Sequence, residues 1–309
     1  MTVQPKLIIH GGASSLEDKG GLQAVRQSLH NTVEEIYQLL LDGASARAAV
    51  VRGCELLEDD LRFNAGTGSV VQSDGQVRMS AALMDGAQQK FSGVINVSRV
   101  KNPIQLANFL QNEEDCILSD FGSSDLAREM GLPVYDPLTD FRVQEWMEER
   151  KNNFQRKMAT LYAGEARRGT IGVVALDSGG HIAAGTSTGG KGLERIGRVS
   201  DSAMPAGNYA NKQAGVSCTG IGEDIINECL AAKIVIRVLD GLPLAAAVHK
   251  SMQESQENGR DLAMIALDAN GIIAWGKTAE ILLAAYHDGD SIGDTLEWHG
   301  DNQSLIGYC

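Results

Sequence analysis

VVALDSGGHIAAGT, residues 173–186, aligns without a gap with MIALDANGIIAWGK, residues 264–277. Each reads as an apolar strand, a turn carrying glycine and a return strand, so the chain holds one hairpin pattern twice. Between the two copies lie two stretches with helical spacing, EDIINECLAAKIVIRVLDG and PLAAAVHKSMQESQEN. Upstream the mixture recurs. KLIIH (6–10) is a predicted strand, and Leu22, Val25, Leu29, Val33, Ile36 and Leu40 fall on one helical face that stops at Gly43. A second helix is expected from about Ser45 to Leu57. The loop EDDLRFNAGTGS then leads to VVQSDGQVRMSAALM, read as a hairpin turning on Ser-Asp-Gly, and to the strand GVINVSR (93–99). NPIQLANFLQN, with Pro103 in its first turn, and SSDLAREMG, with a serine cap and a glycine stop, read as helices. Hairpins with paired helices suit two antiparallel sheets stacked face to face with helices outside, a four-layer sandwich. A doubly wound parallel sheet would alternate strand and helix throughout, which the hairpins contradict.

The 309 residues give room for one large α/β domain or two ordinary ones. A net charge of -13 repels a phosphate backbone, and no basic run exceeds Arg167-Arg168. Only 5% of residues are aromatic, too few for a base-stacking platform. Nucleic acid and anionic membrane are therefore excluded as partners. No stretch approaches the roughly 18 to 20 apolar residues of a membrane span, and MTVQPKLIIHGG lacks the apolar core of a secretory signal, so a cytoplasmic protein is expected. Cys54, Cys116, Cys218, Cys229 and Cys309 are widely spaced, with no C-x-x-C pair, and the six histidines form no metal-ligand grouping. The tract Asp140 to Arg168 is polar and charged, and its second half reads as a solvated linker.

Chemistry is carried by glycines, threonines and one charged loop. TSTGGKG lacks phosphate-loop spacing, and TGIGED lacks the third glycine of a dinucleotide site. Thr170, Thr186, Thr188 and Thr219 all sit at strand ends beside glycines, where a hydroxyl can face a cleft. β-Propensity alone explains Thr186; Thr170 and Thr188 stay open on this ground. GRVSDS places Arg198 three residues before Asp201. The pair suits either a clamp for a zwitterion, guanidinium on an α-carboxylate and carboxylate on an α-ammonium, or a surface ion pair contributing about 0 to 1 kcal/mol.

IHGG, RFNAGTGSV, GTIGVVALD, GTSTGG, GRVSDS and SCTGIGE, in this order over nearly the whole chain, resemble the plant-type asparaginases, or isoaspartyl peptidases, of the N-terminal-nucleophile (Ntn) hydrolases. The resemblance implies a single αββα Ntn-hydrolase domain over 1–309, made as a precursor that cuts itself between Gly169 and Thr170. The products would be an α chain, 1–169, ending in a flexible linker from about 140, and a β chain, 170–309, beginning at the nucleophile. It further implies that Thr188 bonds the nucleophile and that Arg198 and Asp201 hold the substrate's α-carboxylate and α-ammonium. Thr219, Gly220 and Gly222 would line the pocket, and Asn64 with Thr219 would stabilise the oxyanion. Leu57, Glu58, Asp60, Phe63, Ala65 and Thr67 resemble a structural sodium loop built mainly of carbonyls. Substrates would be isoaspartyl dipeptides and L-asparagine, with no cofactor for the chemistry, and the assembly a dimer of cleaved protomers. The sequence departs from the family pattern at Ser80, where Asp is usual, at Ser200, where Gly is usual, and at Arg260-Asp261, where glycines are usual. Asp261 is expected to read the arginine of β-aspartyl-arginine. The rival readings are a glycosylasparaginase-like amidase and a non-processing amino-acid-binding relative.

Overall fold

A computed structural model describes residues 3–16, 19–152, 154, 169–298 and 305–309. Strands β1 (Lys6–His10), β2 (Met79–Asp85), β3 (Lys90–Val97), β4 (Ile117–Ser119), β5 (Ile171–Leu176), β6 (Ile182–Thr188), β11 (Ala284–His287) and β12 (Ile292–Asp294) form one sheet, in the order β12-β11-β1-β5-β6-β2-β3-β4. β7 (Asn208–Ala210), β8 (Ala214–Gly220), β9 (Leu262–Asp268), β10 (Ile273–Lys277) and β13 (Ile306–Tyr308) form the other, ordered β13-β10-β9-β8-β7. Helices α1 (Leu22–Leu41), α2 (Ala46–Asp59), α3 (Pro103–Leu110), α4 (Asp120–Glu129) and α5 (Asp140–Lys151) precede the hairpin β5–β6. α6 (Gly222–Glu228), α7 (Leu230–Leu239) and α8 (Leu244–Glu257) follow β8.

Alternation along the strands builds the layers. Val173 and Ala175 of β5 join Leu29, Val50 and Ile104 in a core between the larger sheet and its helices. Val174 and Leu176 point the other way and meet Ile265 and Leu267 of β9 between the sheets. Val216 and Met264 turn outward to Ile234, Val248 and Met252 under α7 and α8. Three cores between four layers give the expected sandwich. One detail differs from two purely antiparallel sheets: β4 pairs parallel with β3 at the sheet edge.

The repeated hairpin has a repeated turn. Asp177 Oδ1 accepts from the Gly179 and His181 amides at 2.9 and 3.0 Å. Asp268 Oδ1 accepts from Asn270 and Ile272, both at 2.9 Å. An aspartate at the end of the first strand thus satisfies the turn's donors in both copies, Asp177 just after β5 and Asp268 as the last residue of β9. α1 ends as its glycine predicts: Gly43, at φ +93, lets the Ala44 amide reach back to the Leu39 carbonyl at 3.0 Å.

Three readings need correction. Residues 70–78 contain the Ser-Asp-Gly turn but no strand, because β2 pairs with β3 and β6. Neighbours claim this segment's backbone groups: Leu193 N donates to Val71 O at 2.7 Å, Ser73 N to Glu194 O at 3.0 Å, and the Trp146 indole to Ser73 O at 3.2 Å. The stretch predicted as one helix after TGIG breaks at Cys229, which is left-handed at φ 48. The restarted helix places its first amides, Ala231 and Ala232, on the carbonyls of Ala206 and Pro205 at 2.8 and 3.1 Å. The tract from about 140 begins as α5, tied down by Trp146 and by Arg142, which donates to Gly68 O at 3.1 Å; the rest of that expected linker, Asn152, Phe154 and Gly169 apart, lies outside the described residues.

Candidate active site

Strand register brings the first two threonines together. β5 and β6 pair antiparallel with Ile171 opposite Ser187. One step back, Thr170 therefore faces Thr188, and its hydroxyl donates to Thr188 Oγ1 at 3.1 Å. The Gly190 amide donates to the same oxygen at 3.1 Å, which fixes the Thr188 rotamer. On the other side of Thr170 the chain passes over Gly11-Gly12 with no room for side chains: a Cβ on Gly12 would overlap the Gly169 Cα, and a Cβ on Gly169 would overlap the Gly12 Cα. Gly12 has φ +112, so a side chain is disfavoured there twice over.

Stacking of the sheets supplies the third threonine. A Cβ on Gly215 would lie 2.9 Å from Val174 Cγ1, and one on Gly172 would overlap Ser217 Oγ. Two residues along each strand, the same progression carries Thr219 to Thr170. Thr219 is fully buried, and its Oγ1 has no hydrogen-bond partner among the described residues. Asn64 closes another side, donating from Nδ2 to Gly190 O at 2.6 Å and accepting at Oδ1 from the Val70 amide at 3.0 Å. A Cβ on Gly189 would lie 2.6 Å from Asn64 Oδ1, so that glycine is what lets the amide approach.

Arg198 and Asp201 meet across Gly222, where an added Cβ would sit 2.7 Å from Arg198 Nη2 and 2.8 Å from Asp201 Oδ1. Gly220, at φ +123, turns the chain into this site. Asp201 is buried, and its Oδ2 has no hydrogen-bond partner among the described residues, while Oδ1 accepts from Ser200 Oγ at 3.0 Å. Burial pushes its carboxyl up to about 6, against the pull of Ser200 and Arg198. Arg198 is not a simple partner of Asp201: its Nε and Nη2 donate to Glu223 at 2.8 and 2.9 Å. Burial opposes ionisation of Glu223, yet these bonds win and bring it down to about 2. The result is a cation held by one carboxylate beside a second carboxylate that lacks a cation.

The departures from the family pattern fall into place. Ser80 lies opposite Thr188 in the β2–β6 ladder and turns its hydroxyl to accept from the Asn96 amide at 3.2 Å. Ser200 orients Asp201. Arg260 pairs with Asp224 and Glu228 at 3.3 and 3.2 Å, and Asp261 donates its amide to Asp224 at 3.0 Å while its carbonyl lies against Gly220. In the loop from Leu57 to Thr67, glycines 66 and 68 leave space in which a Cβ would overlap the carbonyls of Glu58 and Phe63. Phe63 N donates to Asp60 O and Gly68 N to Ala65 O, both at 3.1 Å. The Glu58 carboxyl is buried and pushed up to about 8, despite accepting from Ser187 at 2.6 Å and from the Ile104 amide at 3.2 Å.

Sequence reasoning passes over Glu223 and Ser217. Both act across elements distant in the chain, and no spacing announces such a contact.

The family model described as Asparaginase matches residues 3–297. The chain is 72% identical to an isoaspartyl peptidase/L-asparaginase of a Synechocystis species, over 98% of this chain and 94% of that relative. It is 68% identical to a protein of the same name from a Nostoc species, over 96% and 95%, and 36% identical to the plant-type L-asparaginase of Pyrococcus horikoshii, over 91% and 95%.

Proposed function

This chain belongs to the asparaginase family, and on that premise we propose that it is a self-cleaving threonine hydrolase. It removes N-terminal β-aspartyl residues from dipeptides and converts L-asparagine to L-aspartate and ammonia. The observation that carries this reading is the placement of Thr170: hydroxyl on Thr188 at 3.1 Å, preceding glycine pressed onto Gly11-Gly12.

In the precursor, Thr170 Oγ1 attacks the Gly169 carbonyl carbon. The C–N bond breaks, an ester forms on Oγ1, and the peptide nitrogen becomes an amine. Water then hydrolyses the ester, leaving the 1–169 and 170–309 chains. The freed α-amine, with a pKa of about 7.7 to 8.0, takes the Oγ1 proton as its own nucleophile's base. Oγ1 attacks the substrate's β-carbonyl carbon, and Asn64 Nδ2 with Thr219 Oγ1 donates to the oxyanion, a role in which one donor is worth about 2.7 to 4 kcal/mol. The amine returns the proton to the leaving nitrogen, and water releases aspartate from the acyl-enzyme. Arg198 takes the α-carboxylate, and Asp201 the α-ammonium together with the Gly220–Gly222 turn. The unpartnered Oδ2 of Asp201 supports that assignment. L-asparagine and a β-aspartyl dipeptide share this end, so one clamp serves both.

The leaving group is read near Asp261, whose carbonyl lies against Gly220 of the clamp turn, and β-aspartyl-arginine is the substrate that its carboxylate would favour. Sodium fits the Glu58–Thr67 loop, where the glycine-made space beside the carbonyls supports it; the ion would stiffen the loop that carries Asn64. The active form is a cytoplasmic dimer of cleaved protomers, a heterotetramer. Among the described residues no helix is long and apolar enough to cross a membrane.

A denaturing gel tests the core of this reading. Wild type gives two bands and Thr170→Ala gives one, with no hydrolysis of β-aspartyl dipeptides; an uncut, active Thr170→Ala protein refutes it. A non-processing amino-acid-binding relative would give one band in both. The ratio of kcat/KM for β-Asp-Arg over β-Asp-Leu falls in Asp261→Ala if Asp261 reads arginine, and stays constant if it does not.

A further inference from the structure

Lys19 is a buried cation that the reaction as written does not use. The segment before α1 folds back on itself: the amides of Lys19 and Gly21 both return to the Leu16 carbonyl, at 3.1 and 3.2 Å, and Gly20 and Gly21 take φ +83 and +85. The turn aims the lysine inward, where it is only 8% exposed. Its Nζ donates to the Arg62 carbonyl at 2.5 Å and lies 5.8 Å from the centroid of the Phe63 ring, within reach of the ring face. That ring is seated in turn by Gly11, where an added Cβ would overlap Phe63 Cε1. A lysine ordinarily keeps its ammonium in water, and drawing it inside costs free energy that the carbonyl and the ring offset here.

The ammonium acts on the peptide unit between Arg62 and Phe63, and that unit is held at both ends. Its carbonyl accepts from Lys19, and its N–H, on Phe63, donates to the Asp60 carbonyl at 3.1 Å. The neighbouring carbonyls face elsewhere: a Cβ on Gly68 would lie 3.0 Å from Leu61 O and would overlap Phe63 O. The residue after this unit is Asn64. Its own carbonyl accepts from Gly189 N at 3.0 Å, and its side chain is gripped by Gly190 O and the Val70 amide. Asn64 is therefore fixed from the β6 side by its own groups and from the α2 side by the plane of the preceding peptide. A charged donor holds a carbonyl about twice as strongly as a neutral one, which suits a plane that must not rotate.

We propose that Lys19 is a positioning residue for the oxyanion donor: its ammonium locks the Arg62–Phe63 peptide plane, which sets the entry of the chain into Asn64 and so the place of Nδ2. The proposal rests on the reading of Asn64 as a donor to the oxyanion. Lys19 acts through the main chain and lies apart from Arg198 and Asp201, so its loss falls on the step in which charge develops and spares the binding of the substrate's α-amino-acid end.

Lys19→Met keeps the stem and removes the ammonium. In the full chain it should lose about 100-fold in kcat for a β-aspartyl dipeptide, the scale of a misplacement near 1 Å, with KM within about twofold of wild type. A double-mutant cycle tells positioning from general support. Asn64→Ala alone should lose about 100- to 1,000-fold in kcat, and adding Lys19→Met to it should cost less than about threefold more, because the group it aims is gone. Losses that multiply in the double variant, or a Lys19→Met kcat within about threefold of wild type, overturn the positioning role. Hydrogen exchange reads the same hold without any need for self-cleavage. In a Thr170→Ala background, Lys19→Met should speed exchange of the Phe63 amide about tenfold or more and leave the amides of β9 at their former rates. An unchanged Phe63 amide, or equal acceleration along the whole chain, counts against the proposal. The two readings fail differently: Asn64→Ala with wild-type kcat removes the oxyanion assignment and the proposal with it, whereas a crippled Asn64→Ala beside a fully active Lys19→Met removes the lysine's role alone.

Discussion

Asp201→Asn should stabilise the empty protein at neutral pH while disabling it. The carboxyl is 2% exposed, its Oδ2 lacks a hydrogen-bond partner among the described residues, and burial lifts it from 3.8 to about 6. A raised carboxyl means the folded chain holds the proton more tightly than the unfolded one. Below pH 3.8 both states are protonated and the residue costs nothing. Between 3.8 and about 6 the unfolded state ionises first, and stability drains away at 1.36 kcal/mol per pH unit. Above 6 the loss is complete, with an upper bound of about 3 kcal/mol. Asn keeps the acceptor for Ser200 and never ionises, so it escapes the loss. The assay is urea unfolding of Asp201→Asn against wild type, both in a Thr170→Ala background so that each sample is one uncut chain. The two curves should coincide near pH 4 and diverge up to pH 7, with Asn the more stable by about 1 to 3 kcal/mol. Hydrolysis by the Asn variant, in the processing-competent background, should fall about 100-fold or more in kcat/KM, since the α-ammonium loses its counter-charge. Aspartate should protect the wild-type clamp against unfolding and not the variant. Parallel curves from pH 4 to 7 would refute the reasoning, because they would mean that the carboxylate is already compensated in the empty site.

Glu223→Gln removes the carboxylate that holds Arg198 Nε and Nη2. KM should rise about tenfold with kcat nearly unchanged, a loss of ~1.4 kcal/mol in ground-state binding; a lower KM would show that Glu223 competes with substrate instead. Gly12→Ala drives a Cβ into Gly169, so self-cleavage followed by denaturing gel should slow about 100-fold. Gly43→Ala, also at positive φ but with nothing within 4 Å, should lower Tm and leave the rate of cutting alone. Glu58→Gln should flatten the stability profile between pH 4.5 and about 8. The wild-type carboxyl, raised from 4.5 to about 8, costs increasing stability as pH climbs through that interval, and Gln does not. Identical profiles would sink that account.

Local chemistry made much of the fold legible. The strand bounds Lys6–His10 and the stop of α1 at Gly43 follow from periodicity and one glycine. The repeated hairpin announced stacked antiparallel sheets because its turns use the same aspartate device, Asp177 and Asp268. Failures came where distant backbone claimed local groups: residues 70–75 lost their ladder to Leu193, Glu194 and Trp146, and Cys229 broke a helix whose new start found acceptors at 205–206. The site divides the same way. Thr170, Thr188, Arg198 and Asp201 lie in short motifs, through which the family resemblance points to them, while spacing alone leaves them open. Glu223, Ser217 and Lys19 act between sheets or across loops, and only the folded register reveals their partners.

The strand order has a consequence for what the two halves of the chain are to each other. β1 comes from the part before Gly169, yet it lies between β11 and β5 from the part after it, while β2 to β4 extend the same sheet beyond β6. The larger sheet is shuffled from both halves like cards, and a cut before Thr170 leaves every ladder in place. Neither half owns a complete sheet: segment 1–169 on its own would have β1 stranded apart from β2–β4. Dissociating the halves would mean tearing β1 from two neighbours at once, so the enzyme can lose a peptide bond and remain one body, but it cannot be assembled from halves that have folded separately.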